Sequence, residues 1–439
     1  MFSQVQYNFY TNVIEHTLKS NIHKMLNRSK ILRGFIIGAS LVCLNINSFA
    51  QDALGRSKHA GRSNVITTAV PFLMIGPDSY TGGMGEVGVA LDRDMNAQHW
   101  NPSKYVFSPN YGGVSVSYSP WLSGLGLNDI YLGYLSGYYK ITDMNSISMS
   151  LRFFSMGEME LMNYEGQNPL GDGVKVNPHE FALDAAYARK FTKNFSMAVT
   201  GRFIYSNLTT VSGVSTTTEG IKPGMSGAAD ISMFYQKNLP TDKLYSSKIG
   251  VGLNISNIGA KISYSSSLER DFIPANFRIG TAYTMYVDRY NSLTFALDFN
   301  KLLVPTNPLY YTDSIDPRGN KVIAAGRDPL NTSVVEAMFT SWIDAPGGFI
   351  EEMYEFLINV GIEYAYSDLL FIRAGYFNEA KTKGDRKYLT VGVGIKYSIF
   401  ALDASYIIPV NQRNHALENT LRFTLSFDIG DMLQGKDTQ

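Results

Sequence analysis

The sequence predicts an all-β protein, a fourteen-stranded antiparallel transmembrane barrel with an N-terminal plug, from three observations. Apolar and polar residues alternate in long segments along most of the chain. Short connections between these segments tend to alternate with longer ones. Only 17% of the 439 residues are charged, while 13% are aromatic, and a typical soluble domain carries more charge than this. A soluble all-β fold is the alternative, but its strands are usually only about 5–6 residues long.

The chain begins with a region that has the layout of a secretory signal peptide. Basic residues precede an apolar run from Gly34 to Leu44, and Ser48-Phe49-Ala50 resembles a cleavage site. We therefore interpret residues 1–50 as a signal region, with Met25 as a candidate start.

Two other readings of this region are a membrane-spanning helix and a lipoprotein signal. The apolar run is shorter than the ~20 residues that a spanning helix requires. Val42, which precedes the only cysteine, Cys43, is not the small residue that a lipoprotein signal needs. Residues 51–64 are polar, and we expect them to be a flexible N-terminus.

The barrel itself is predicted over residues 111–430. In the segment from Asn145, for example, Ile147, Met149 and Leu151 alternate with serines. Successive side chains of a strand face opposite sides, so this pattern gives one apolar and one polar face. The fourteen segments lie near residues 111–119, 128–140, 144–155, 179–190, 194–206, 225–236, 246–257, 273–286, 291–301, 354–366, 368–378, 387–397, 400–408 and 417–429.

The connections predict how the barrel sits in the membrane. Outer-membrane barrels have an even number of strands, short periplasmic turns and longer extracellular loops. This parity puts both termini in the periplasm, including a tail at residues 431–439, and makes residues 302–353 a long extracellular loop. We expect aromatic residues near segment ends at the interfaces, including Tyr138-Tyr139, Phe153-Phe154 and the pair Tyr283 and Tyr286.

Residues 65–110 lie between the signal region and the first strand and are predicted to fold inside the lumen as a plug. They include GGMGEVG, in which Gly83, Gly85 and Gly88 match the letters of a dinucleotide-binding loop. That motif needs a strand before it and a helix after it, and neither is evident here. Because glycine permits tight turns and close backbone approach, these glycines suit a segment packed in a narrow lumen.

The stretch GPDSYTGGMGEVGVALDRDMNAQHWNPSKY, with GGVSVSYSPWL, NDIYLGYLSGYYK and SWIDAPGGFIEE, closely resembles the PorV family of type IX secretion. The resemblance covers roughly residues 65–430. It implies a FadL-like barrel of fourteen strands with a hatch in the lumen. Trp100 precedes Asn101-Pro102-Ser103, which stands where the family has an Asn-Pro-Ala-like hatch motif.

The resemblance also implies a role and partners. Such a protein binds the C-terminal signal domain of secreted cargo and takes it from a translocon barrel of the SprA or Sov type, covering the lateral opening of that barrel. It carries the cargo to a cell-surface attachment complex, where a sortase-like PorU enzyme links cargo to lipopolysaccharide. We expect no catalytic step in this chain, although lipopolysaccharide deacylation has been associated with the family.

The residue pattern offers no chemistry of its own. The histidines are scattered, and neither a metal-ligand pair nor a G-x-S-x-G elbow occurs. The formal net charge is zero, which gives no electrostatic footprint for nucleic acid. We therefore predict no catalytic residue, metal or cofactor.

The strongest candidate for partner binding is a helix in the long loop. Ser333-x-x-Glu336 has the pattern of a capping box before an apolar run. Exposed apolar groups often mark interaction sites, although the helix could instead pack on the barrel mouth. The candidate partner-binding residues are Val335, Met338, Phe339, Trp342, Ile343 and Phe349.

Two functions remain in competition at this point. A cargo shuttle needs long partner-binding loops and tolerates a sealed lumen. A FadL-type channel for small hydrophobic molecules needs an apolar pocket in the lumen. The long loop and the resemblance favour the shuttle.

Overall fold

The computed structural model describes eleven stretches of the chain, which are residues 63–92, 95–121, 129–161, 164–165, 168–169, 174–208, 222–239, 247–264, 270–315, 321–410 and 420–429. The predicted signal region, residues 51–62 of the predicted flexible N-terminus and the predicted tail at 431–439 lie outside these stretches. Fourteen antiparallel strands close into one barrel, which confirms the predicted fold class.

Each predicted segment contains one barrel strand, with ends that differ by a few residues. The strands are β1 Gly112–Pro120, β2 Ile130–Thr142, β3 Asn145–Met156, β4 His179–Lys190, β5 Phe195–Asn207, β6 Gly224–Leu239, β7 Ser247–Gly259, β8 Asn276–Tyr286, β9 Asn291–Leu302, β10 Leu357–Tyr366, β11 Leu370–Asn378, β12 Lys387–Tyr397, β13 Phe400–Pro409 and β14 Leu421–Asp428.

Closure of the barrel joins the first strand to the last. β1 pairs antiparallel with β2 on one side and with β14 on the other, with Gly113 opposite Asp428 and Tyr118 opposite Phe423. We call the end of the barrel at Gly112 and Asp428 the short-turn end, because tight links such as that from β2 to β3 lie there. The opposite end, where β9 and β10 are joined by residues 303–356, is the long-loop end.

The wall is polar inside and apolar outside. In β3, Ser148, Ser150 and Arg152 are buried against the contents of the lumen, whereas Met149 and Leu151 are exposed on the outer face. Lipid cannot hydrogen-bond to a side chain, so an exposed apolar face is the arrangement that a bilayer stabilises. The outer face of a soluble barrel would carry the polar set instead.

Only some of the aromatic residues that were expected at the membrane interfaces lie on the outer face of the barrel. Near the long-loop end, Tyr131 and Phe153 belong to a row of outer-surface rings on neighbouring strands. However, Tyr138 stacks on the plug residue Tyr105 at 4.4 Å, and Phe154 packs inward. Because neighbours in a strand face opposite sides, only one ring of each adjacent pair can reach the lipid interface.

The link between β9 and β10 holds more structure than the single predicted helix. It contains a hairpin, Leu309–Ile315 with Lys321–Ala325, and the helix Val334–Thr340. A second helix, Phe349–Tyr354, delays the start of β10 to Leu357. Most of this helix lies in the predicted long loop, and only Tyr354 falls in the segment predicted as a strand, because short apolar runs do not separate helix from strand.

Four short α-helices lie among the described residues, and none is long and apolar enough to cross a membrane. They are α1 Ser79–Gly82, α2 Ala97–Trp100, α3 Val334–Thr340 and α4 Phe349–Tyr354. Three 3-10 helices are Pro71–Met74, Pro102–Phe107 and Lys381–Lys383. Two further short strand pairs, between β3 and β4, are Met159–Leu161 with Val174–Val176 and Tyr164–Glu165 with Asn168–Pro169.

Candidate functional site: a hatch in the lumen and a helical surface at its mouth

The lumen is plugged by residues 70–92 and 95–107, which we call the hatch. Its first part packs near the long-loop end, where Phe72 and Leu73 join a core with Ala182 of β4 and Ile204 of β5. From α1 onward the chain follows the inner wall from β14 back to β7, and the part after residue 95 returns across β1 to β6. The hatch thereby contacts all fourteen strands.

The GGMGEVG segment lies against wall glycines. Gly85 has a φ of +72° and Glu86 a φ of 64°, a left-handed bend that favours glycine at the first position. A methyl group on Gly375 of β11 would overlap the backbone of Met84 and Gly85. Gly361 of β10 makes room for Met84 in the same way. Glycine on both surfaces lets the hatch backbone touch the wall.

The other two glycines of the motif have ordinary φ values and serve close approach only. Gly83, with a φ of −70°, lies against Gly392 of β12, and Gly88 lies against the ring of Trp100. The structure adds a second argument against a dinucleotide-binding loop, because backbone amides of the motif already donate to the barrel wall. Gly88 and Val89 donate to the Asp298 carboxylate at 2.8 and 3.0 Å, where a phosphate-binding loop would present them to ligand.

The Trp-Asn-Pro stretch connects two legs of the hatch. Trp100 donates its indole N–H to Asp78 at 2.7 Å, and the Arg278 guanidinium lies 4.3 Å from its ring. Asn101 donates to the carbonyls of Val89 and Met233, both at 2.9 Å.

Asn101 also accepts a bond from the Ser103 amide and so caps the 3-10 helix that starts at Pro102. The Ser103 hydroxyl donates to the same Asn101 oxygen. The departure from alanine at this position therefore adds a buried hydrogen bond.

Buried charges tie the hatch to the wall and brace the wall itself. Glu86 of the hatch pairs with Arg422 of β14 at 2.7 Å. Elsewhere Arg202 of β5 joins Asp184 of β4 to Asp230 of β6. The sequence analysis did not identify these buried ion pairs, although charged residues on the polar face of a membrane strand are expected to point inward.

A cavity of about 400 Å³ lies below the hatch at the short-turn end. Its lining mixes charged residues, including Asp92, Glu363, Asp403, Asp428, Arg373 and Lys396, with apolar and aromatic residues, including Phe371, Ile395 and Ile399. Arg373 pairs with Glu363 at 2.7 Å and with Asp403. The cavity is therefore a vestibule of mixed polarity, in which buried ion pairs lie beside apolar groups.

Helix α3 begins as its sequence pattern predicts. The Ser333 hydroxyl accepts a bond from the Glu336 amide at 3.2 Å. The Glu336 carboxylate, however, pairs with Arg327 at 2.9 Å instead of completing the capping box. The cap fixes where the helix starts, and the salt bridge ties it to the preceding turn.

One face of α3 packs on the barrel mouth. Ala337 is fully buried in a core with Phe272, Leu303 and Val304, and Met338 packs against that core. Met338 is thus the one partner-binding candidate that the structure places mainly in packing. The Trp342 ring contacts Phe277 and Phe356, and its N–H donates to the Met338 carbonyl at 3.1 Å.

Four of the remaining candidates leave most of their side chains in solvent, and the fifth, Trp342, is partly exposed. Phe339 is 74% exposed, Ile343 80%, Phe349 67% and Val335 64%, while Trp342 is 38% exposed. We call these five side chains the outer helical surface. Exposure of so many large apolar groups on α3, on α4 and in the link between them disfavours a purely packing role.

Helix α4 is held from below by buried charges. Lys301 of β9 pairs with Glu352 at 3.0 Å and with Glu355, and Lys383 also pairs with Glu355, at 2.9 Å. Burial opposes ionisation of Glu355, but Lys301 and Lys383 outweigh it and lower its pKa. The outer helical surface therefore rests on a braced base.

Asp344, between α3 and α4, has a different environment. Burial, and then the nearby carboxylates of Glu352 and Glu355, raise the pKa of Asp344 to about 6. One of its oxygens accepts from Thr306 at 3.2 Å, and the other has no hydrogen-bond partner among the described residues. This carboxyl group is therefore easily protonated.

No arrangement of three His, Cys, Asp or Glu side chains among the described residues could hold a metal ion. The described geometry is instead that of a plugged transmembrane β-barrel with an apolar helical surface at its mouth. The model of the family "Type IX secretion system protein PorV" matches residues 58–309, more than half of the chain. The chain belongs to this family, and its fold and family place it in the outer membrane.

Comparisons with solved structures find hydrocarbon channels and toluene transporters. The TodX deltaS2S3 mutant, a monoaromatic hydrocarbon channel, is 11% identical, with 80% of this chain and 99% of that chain covered at a TM-score of 0.46. The toluene transporter TbuX of Ralstonia pickettii is 12% identical, with 80% and 97% covered at 0.43. TodX of Pseudomonas putida is 11% identical, with 83% and 98% covered at 0.43. None of the curated proteins matches this sequence.

Proposed function

We propose that this protein binds the C-terminal signal domain of secreted cargo, takes it from the type IX translocon and carries it to the cell-surface attachment complex. The outer helical surface is the observation that carries the proposal. Its exposed Phe339, Ile343 and Phe349 are large apolar groups, of the kind that contribute most when buried in a protein interface. In this proposal the long loops face outward and the short turns face the periplasm.

The bracing of the surface supports this role. A partner that binds a preformed surface does not have to order it, and that ordering otherwise reduces affinity. Salt bridges from Lys301 and Lys383 hold α4, and Ala337 anchors α3. The surface is thus presented in a fixed shape before any partner arrives.

The hatch supports a shuttle more than a channel for hydrophobic molecules. It is bonded to strands around the whole wall, including the buried pair of Glu86 with Arg422. The 400 Å³ cavity beneath it has carboxylates as well as apolar groups in its lining, and an apolar solute would have to desolvate those carboxylates. We assign no covalent step to this chain.

Surface substitutions test the proposal more cleanly than removal of residues 331–345, because that deletion also takes out the buried Ala337. We expect Phe339→Ser with Ile343→Ser to abolish co-purification of cargo C-terminal domains from outer membranes. Tyr311→Ser, an exposed residue of the hairpin in the same loop, is the matched control. Cargo retention equal to that of the control would overturn the proposal.

A further inference from the structure

Residues 63–69 form an extended segment that we call the N-terminal strap. Asn64 donates its amide to the Thr382 carbonyl at 2.8 Å and its side chain to the Asn307 carbonyl at 3.1 Å. Asn307 in turn donates to the Val65 carbonyl at 2.6 Å. Thr382 lies between β11 and β12, and Asn307 between β9 and β10. Both links belong to the long-loop end.

The two ends of the strap and hatch therefore lie at opposite ends of the barrel. Residue 112 starts β1 at the short-turn end, whereas Asn64 lies among the long loops. Strand parity predicts a periplasmic N-terminus for the mature chain, and residues 51–62, which would carry it, lie outside the described stretches. From Asn64 the described chain enters the lumen at the long-loop end, where the Ala69 amide donates to the Phe272 carbonyl at 2.9 Å.

The strap also lies beneath the outer helices. Ile66 packs in the core that contains Ala337 and is lined by Val334 and Met338. Asn64 donates a second side-chain bond to Glu351 of α4 at 3.0 Å, and Glu351 also accepts from Lys383 at 2.6 Å. Thus one short segment bonds to α4 and shares a hydrophobic core with α3.

Alternation along the strap separates its two sides. Ser63, Val65 and Thr67 are exposed, while Asn64 and Ile66 are partly covered. The covered side makes the contacts to the helices and loops.

We propose that the N-terminal strap is a cell-surface element that positions α3 and α4 for their partner. Ser63 then faces the outside, and Asn64 is a positioning residue that acts through Glu351 and Asn307. The positioning role rests on the proposed function of the outer helical surface, whereas the surface location of Ser63 rests on the strap's contacts and on the outward orientation of the long loops.

Cysteine labelling of intact cells tests the location. The sequence contains one cysteine, Cys43, so each variant also carries Cys43→Ala. We expect Ser63→Cys to react with a membrane-impermeant polyethylene-glycol maleimide as readily as Leu330→Cys in the long loop. Met144→Cys, exposed in the turn between β2 and β3, should react only after permeabilisation. Labelling of Ser63→Cys only after permeabilisation would overturn the inference.

Capture of an isolated cargo C-terminal domain by the purified full-length barrel tests positioning. Asn64→Ala loses two side-chain bonds, and we expect roughly tenfold weaker capture. Asn64→Ala should leave the unfolding temperature of the barrel unchanged. Thr67→Ala, on the exposed side of the strap, should bind like wild type. Unchanged capture by Asn64→Ala would refute the positioning role.

The variant Phe339→Ser with Ile343→Ser separates the two ideas in the same assay. If this variant loses capture while Asn64→Ala does not, only the strap inference fails. If this variant also binds like wild type, the outer helical surface itself is not the cargo site.

Discussion

The hatch and the outer helical surface treat apolar and polar groups in opposite ways. In the hatch, Met84 and Val87 are fully buried, and the amide hydrogens of Gly85, Gly88 and Val89 find wall partners. At the outer helical surface, Phe339 and Ile343 are exposed to solvent. The core that buries Ala337 covers only the opposite side of α3. This difference agrees with the proposal above, in which the hatch serves the fold and the outer helical surface binds a partner.

The largest expected effect is from crowding the contact between hatch and wall. Gly375→Ala places a methyl group in the backbone of Met84 and Gly85, so the hatch must leave its position. We expect a large loss of resistance to thermal unfolding in detergent. Gly201→Ala is the matched control, since a methyl group there meets open space. Equal melting of the two variants would mean that the hatch is not packed against β11.

The next largest expected effect is from breaking the buried ion pair of Glu86 with Arg422. Glu86→Ala leaves the Arg422 guanidinium buried without its carboxylate, which costs about 3–5 kcal/mol in comparable sites. The free energy of unfolding in urea measures the effect. Glu158→Ala breaks the exposed pair with Lys175 and should cost at most about 1 kcal/mol. If the two losses were similar, the hatch would not depend on its buried charges.

The smallest expected effect is a pH dependence of the stability of the residues that support the outer helical surface. Because the folded pKa of Asp344 is raised to about 6, its contribution to stability is present at low pH and is lost as pH rises through about 6. Amide hydrogen exchange of residues 334–355, corrected for intrinsic rates, should be slower at pH 5 than at pH 7.5.

Two neighbouring carboxyl groups, those of Glu352 and Glu355, also affect the pH dependence of hydrogen exchange. Burial also raises the pKa of Glu352, so Asp344→Asn should shrink the pH difference without removing it. The lowered pKa of Glu355, held by Lys301 and Lys383, opposes the trend only below about pH 4.5. Faster exchange at pH 5 than at pH 7.5 in the wild-type protein would contradict this account.

Much of the fold could be predicted because the bilayer enforces a simple rule. Lipid outside and a plug inside give each strand a strict alternation, so fourteen segments were found from period-2 patterns alone. The hatch was found because residues 65–110 are too apolar for a linker and too irregular for a strand. Glycine spacing in GGMGEVG indicated close approach, although only Gly85 takes a left-handed φ.

What could not be predicted depends on which residues meet in space. The pairing of Glu86 with Arg422 joins positions 336 residues apart, and no local pattern indicates it. The same holds for Lys301 beneath α4 and for the passage of Asn64 among the long loops. At the outer surface, the apolar residues of α3 were recognised, but their division into a packed face with Met338 and an exposed face with Phe339 required the structure.

The central claim is that cargo binds the outer helical surface and not the hatch, and affinity measurement tests it most directly. We expect Phe339→Ser with Ile343→Ser to weaken binding of an isolated cargo C-terminal domain to the purified barrel by at least about 30-fold, as for hot-spot residues of about 2 kcal/mol or more. Tyr311→Ser and Glu86→Ala should bind like wild type. Wild-type affinity in the first variant, or a comparable loss in Glu86→Ala, would contradict the account.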